Sequence, residues 1–193
     1  MKLVHYCSGL LLAAFIGVHI LNHLLILHSA EWHVQFMRRA RKVYRHPVIE
    51  SLIGLAVLLQ IFSGAGLLLG AWLQAKDFFG IVHVYSGLYL AFFMTVHVAA
   101  VIKGRYKMHL DTNLYYGAGV MNSWPQKLLF IPYYSLGLLS FFFHVACIHK
   151  EKMSRFISAE AASVQGYLIM IIGIIISLAI VAKMSALKKW VIT

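Results

Sequence analysis

The chain has 193 residues, 61% of them hydrophobic and only 12% charged, with a formal net charge of +11. A soluble domain carries about 25% charged residues, so this composition excludes one and describes an integral membrane protein. The excess of Lys and Arg does not build a nucleic-acid surface, because these residues flank long apolar runs, where they set membrane topology.

Five stretches reach the roughly 20 mainly apolar residues that a membrane span requires: about 4–28, 48–73, 80–102, 124–148 and 161–183. The connections between them are short. Residues 1–193 therefore read as a single transmembrane domain, an all-α bundle of five transmembrane helices.

The first span holds VHYCSGLLLAAFIGVHI, from Val4 to Ile20, and then His23. One Lys before an apolar run is how a signal peptide begins, but this run is long and carries His19 and His23, which mark a retained span. Cys7 here and Cys147 in the fourth span fall near the same membrane face. No C-x-x-C-H or paired C-x-x-C motif accompanies them, so they read as small buried thiols.

The following loop, HSAEWHVQFMRRARKVYRHP, alternates Trp32, Phe36 and Tyr44 with basic groups. It predicts a helix over about 30–44 lying at the lipid interface, with its cations toward the headgroups. His46-Pro47 opens the second span, because proline suits a helix's first turn. Glu50 follows at its start and Gln60 lies near its middle.

The third span is a second copy of the first: VHVYSGLYLAFFMTVHV, Val82 to Val98. The shared pattern is V-H-x-x-S-G-L-x-L-A-x-F-x-x-V-H, which aligns His5 with His83 and His19 with His97. Within each copy the two histidines are 14 residues apart, about 21 Å along a helix and only about 40° around it, so they share one face. After Lys103, Arg105 and Lys107 comes LDTNLYYGAGVMNS, whose Asp, Asn and Gly residues predict turns. Trp124-Pro125 opens the fourth span, which carries His144, and the fifth has no ionisable residue from Gly166 until Lys183.

The offset of 78 also carries Pro47 onto Pro125. The repeating unit is thus a helical hairpin, spans 1–2 and then 3–4, and two such units predict a pseudo-twofold axis along the membrane normal. Across that axis His19 and His97 would face each other at matching depth. Two opposed neutral imidazoles suit the axial positions of haem iron, and ionisable residues inside spans default to function. His19 and His97 are therefore the expected axial ligands of a haem b. His5, His83 and His144 gather on the N-terminal side, where they could hold a second haem or contact haem propionates. Two other functions remain open: a haem-binding or haem-sensing membrane protein without an electron partner, and a histidine-lined metal transporter using His19 and His23, which share a helix face.

The H-x-x-S-G starts of spans 1 and 3, the late histidines in both, S-F-F-F-H in span 4, AEWHVQFM in the loop and Glu50 together resemble the cytochrome b membrane anchor of succinate dehydrogenase and fumarate reductase. The resemblance covers about the whole chain. It implies a bundle around haem b that exchanges electrons between quinone and a dehydrogenase built of flavoprotein and iron–sulfur subunits, in the cell's inner (plasma) membrane or an equivalent energy-coupling membrane. On it, His19 and His97 match the ligands of the haem distant from the dehydrogenase. His144 matches one ligand of the nearer haem, and Gln60 stands where the other would be. Glu50, with Ser8 and Ser86, would belong to a quinone site.

The charge pattern departs from that family. Lys2, Lys76, Lys150, Lys152 and Arg155 lie on the side of the N-terminus, and the other 12 of the 17 Lys and Arg, including Lys188 and Lys189, lie opposite. The positive-inside rule puts the N-terminus outside, whereas the family's N-terminal side faces the dehydrogenase in the cytoplasm.

Overall fold

A computed structural model describes residues 1–187, so Lys188 and Lys189 lie outside the described residues. The described chain is all-α. Helix α1 spans Lys2–Leu24 and runs on through a 3-10 turn, Leu25–Leu27; α2 is Ala30–Tyr44 and α3 Pro47–Gln74. Helix α4, Phe78–Ile102, continues into a π-helical turn, Lys103–Lys107, and is followed by α5 (Leu114–Asn122), α6 (Lys127–Met153) and α7 (Ala159–Ser185). Five of these, counting the extensions of α1 and α4, are long and apolar enough to cross a membrane.

Local chemistry sets the helix starts. The Ser29 hydroxyl accepts from the Trp32 N–H at 3.2 Å, and Ser158 accepts from the Ala161 N–H at 3.1 Å. Asp77 accepts from the Gly80 N–H at 2.8 Å and faces Lys150 Nζ at 3.5 Å. Such side chains satisfy N–H groups that the first helical turn leaves free.

Three boundaries depart from the sequence reading. The stretch expected to turn, 110–123, contains α5: Asn113 caps it, accepting from the Tyr115 N–H at 2.9 Å. Leu114, Ala118 and Met121 then follow at helical spacing and bury against Ile20, Ile26, Ile180 and Met184. Burial of that stripe outweighs the turn propensity of its glycines. The fourth long helix starts at Lys127 rather than at Trp124-Pro125. It ends at Met153 instead of about 148, because Lys150, Glu151 and Lys152 end the apolar run but are good helix formers.

Helix α7 buries Ala162, Gly166, Met170, Gly173, Ser177, Ile180 and Met184. Their spacing in fours and threes makes one stripe, and its small residues let α6 approach closely. Helix α1 packs on α3, α4 on both α3 and α6, and α5 closes the end where α1 and α7 meet. The outward faces stay apolar: Leu10, Leu55, Phe62, Leu69 and Ile175 are all exposed. A surface of that extent is what lipid contact requires. Cys147 is buried as expected, whereas Cys7 is exposed, on the outward face of α1 that it shares with Leu3 and Leu10; both thiols are free.

Candidate functional site

Helices α1 and α4 bring His19 and His97 together, with ring centres 6.3 Å apart and planes at 64°. Each ring is backed by the phenylalanine one turn earlier on its own helix. Phe15 stacks on His19 at 6.1 Å and 14°, and Phe93 on His97 at 5.3 Å and 13°. These phenylalanines are themselves equivalent in the sequence repeat, and i, i+4 neighbours on a helix meet in this way. Tyr134 of α6 meets His97 edge-on at 6.4 Å, and Tyr133 lies 4.7 Å from Phe93. Glycine is needed at 137, because a Cβ there would stand 2.5 Å from the Phe93 ring.

Two imidazoles on opposite sides of one metal, with metal–nitrogen distances of about 2 Å, have ring centres about 6 Å apart. The His19–His97 spacing meets that requirement. The His19 Nε2 lies 3.3 Å from His23 Nε2, so holding iron through that atom would mean exchanging His23 for the metal. Among the described residues, no group of three or more His, Cys, Asp or Glu side chains is arranged to hold a metal ion.

Beyond His23 comes a residue that sequence reasoning missed. His33 of α2 is 2% exposed, with its ring 5.1 Å from that of His23. Neither of its ring nitrogens has a hydrogen-bond partner, and His23 Nδ1 and Arg41 Nε are buried and unpartnered too. The available signal was register: His33, Met37 and Arg41 recur every four residues and so share the face of α2 turned inward.

Burial, with His19 and Arg41 nearby, pushes His33 down to about 4. Its unfolded value is near 6.5, so neutral His33 contributes its full stability above pH 6.5 and loses it as pH falls toward 4. The span corresponds to about 3 kcal/mol. Thermal unfolding in detergent should therefore weaken from pH 7 to pH 4.5, and His33→Gln should flatten that dependence. An unchanged slope in the variant would assign it to other groups.

The opposite end of the bundle is wired differently. His5 Nδ1 lies 2.9 Å from Ser63 Oγ and Nε2 lies 3.0 Å from Gln60 Nε2. One tautomer satisfies the set: the Gln60 amide donates to Nε2, Nδ1–H donates to Ser63, and Ser63 donates to the Leu59 carbonyl. Ser8 donates to Gln60 Oε1 at 2.7 Å. His83 and His144 lie ring to ring at 4.5 Å, closer than two ligands on opposite faces of one haem iron. His144 Nδ1 is 3.3 Å from both Ser86 Oγ and the His83 carbonyl.

Each S-G pair of the repeat seats one polar side chain. A Cβ on Gly9 would lie 3.2 Å from Gln60 Nε2, and one on Gly87 would lie 3.0 Å from His144 Cε1. His144 thus lies against Gly87 as Gln60 lies against Gly9, although the constant offset aligns it with Gly66. The paired positions are 57 residues apart in the second hairpin and 51 in the first.

Glu50 is ion-paired with Arg105, whose second nitrogen stands 3.4 Å from Oε2. The neighbouring Arg45 donates instead to Thr112 at 3.2 Å, and Arg41 pairs with Asp111 at 2.5 Å. These contacts tie α2 and α3 to the connection after α4. Of the expected site residues, His19 and His97 form one group, His5 with Ser8 a second, His83 with His144 and Ser86 a third, while Glu50 stands apart with Arg105. Searches against protein-family models, curated proteins and solved structures find no match to this chain.

Proposed function

We propose that this chain is a haem b membrane cytochrome that passes electrons between a quinone pool and a partner of the succinate dehydrogenase/fumarate reductase type. The observation that carries the reading is the His19–His97 spacing of 6.3 Å, with a phenylalanine stacked behind each ring. His19 and His97 would hold the iron, and Phe15 and Phe93 keep the imidazole planes in place. Haem supplies the one-electron carrier that side chains lack.

The other parts of the proposal follow from placement. The two hairpins would be related by a pseudo-twofold axis, with His19 and His97 on either side of it. His5 has both nitrogens engaged and His83 lies against His144, so these residues suit a hydrogen-bonded polar end better than a second iron. Quinone would meet Ser8 and Ser86, or Glu50. Glu50 can take a proton there only by giving up its pairing with the Arg105 guanidinium. Charge bias puts the N-terminus outside, and flavoprotein and iron–sulfur subunits would complete the electron path.

The test is a reduced-minus-oxidised visible spectrum of the purified full chain, with haem counted and a short-chain quinol as reductant. One low-spin b-type haem per chain, reduced by quinol, is expected. A haem that quinol does not reduce would favour haem binding or sensing without an electron partner, and no haem after expression with ample supply would end the cytochrome reading.

One observation favours a second reading, a divalent metal held by histidines. The His19 Nε2–His23 Nε2 separation of 3.3 Å is that of two imidazoles on one tetrahedral ion at bonds of about 2.0–2.1 Å. Zinc bound one per chain, and lost in His23→Leu, would support it.

A further inference from the structure

We infer that the buried polar side chains between α1 and α2 form a carboxylate site, in which His33, with His23 and the Nε–H of Arg41, takes the acidic edge of a tetrapyrrole held by His19 and His97. This rests on the haem reading and adds to it the residues that receive the propionates.

The starting point is an imbalance. Buried polar atoms are almost always partnered, and leaving one unpartnered costs about 1–3 kcal/mol. Five such atoms lie on α1 and α2: both nitrogens of His33, Nδ1 of His23, Nε of Arg41 and the acceptor Oδ1 of Asn22, the first four being able to meet a carboxylate. The one remaining contact of the pair, from His23 Nε2 to His19 Nε2, is the contact that iron ligation through that atom would break. Ligation thus leaves His23 and His33 with four free ring nitrogens between them.

The chemistry of these groups selects the ligand. Each neutral imidazole offers one N–H, and Arg41 offers its Nε–H while another of its nitrogens holds Asp111 at 2.5 Å. The fixed charge of Arg41 favours an anion, and no carboxylate is bonded to either ring. Position agrees. His19 and His97 lie late in their helices, so the end of the bundle nearest to them is the one that α2 covers. A porphyrin places both carboxylates on one edge, and that edge has to leave the apolar bundle at a polar boundary. A neutral His33 can take such a group by donating its ring N–H, with no prior change of charge.

The experiment uses the purified full chain freed of haem in detergent. It is titrated with ferric haem b and, separately, with the dimethyl ester of the same haem, which lacks free carboxylates. Wild type should bind haem b about tenfold or more tightly than the ester, the scale of one hydrogen bond to a charged group. His33→Leu should remove most of that preference and keep a low-spin spectrum, while His33→Gln, which retains a donor, should keep part of it.

Equal affinity of wild type for the two haems would overturn the inference, whatever the variants do. So would a His33→Leu chain that keeps the full preference. If wild type takes up neither haem, or if His97→Ala binds both with an unchanged spectrum, the haem reading itself fails. Those results differ from a bound haem that does not distinguish acid from ester.

Discussion

With His19 and His97 as proposed haem ligands, replacing His97 with Ala should abolish the low-spin b-type spectrum and cut the haem retained per chain by more than about tenfold. Loss of an outer-shell partner of a metal ligand already costs 10–100-fold in metal affinity, so loss of a ligand costs at least that. The substitution also removes the ring that Phe93 stacks on at 5.3 Å and that Tyr134 meets edge-on. His83→Ala on the same helix is the control. Its ring contacts His144 and not His19, so haem content should stay near that of wild type. His19→Ala should match His97→Ala. If both single variants keep a low-spin haem, the iron has other ligands and the His19–His97 spacing is a packing feature. If His83→Ala loses haem as completely as His97→Ala, the signal reports general loss of folding.

The two copies of the histidine stretch made the approach of His19 and His97 legible. Span lengths follow from apolar runs, and the 78-residue offset pairs His19 with His97 and Phe15 with Phe93 without any coordinates. Other features depend on contacts that no local pattern contains. Gln60 and His144 occupy corresponding seats because each packs on the glycine of an S-G pair, and the hairpins differ in length between those points. Glu50 could have paired with Arg45, its near neighbour in sequence, but the π-helical turn after α4 brings Arg105 to it. His33 was obscured by its surroundings. In a loop rich in Arg, beside Trp32, it reads as one more interfacial polar group, and only its docking on α1 shows it buried with both nitrogens unpartnered. Helix α5 was hidden by three turn-forming residue types, although the stripe of Leu114, Ala118 and Met121 was there to be counted.

Gly173→Val should cause a large loss of stability. A Cβ at this position would overlap Cβ of Phe142 and lie 2.5 Å from its Cγ. The obstructing atom is fixed to the α6 backbone, so no rotamer change clears it and the helices have to separate. Overpacking of this kind costs about 3 kcal/mol, and more where backbones have to move. Here it acts on the most extensive helix–helix contact in the described chain. Separation would also weaken the burial of Met170, Ser177 and Ile180 along the same stripe. On the scale of soluble domains near 200 residues, the thermal midpoint should fall by about 10 °C. Gly70→Val in α3 is the matched control, because nothing lies within 4 Å of a Cβ there. The loss should reach the histidines as well. Helix α7 fixes α6, and α6 presents Gly137 to Phe93, the ring behind His97. A Gly173→Val chain that still binds haem should therefore hold it in a broadened or shifted low-spin band. If it melts with wild type and Gly70→Val, the close approach of α6 and α7 does not hold the bundle together.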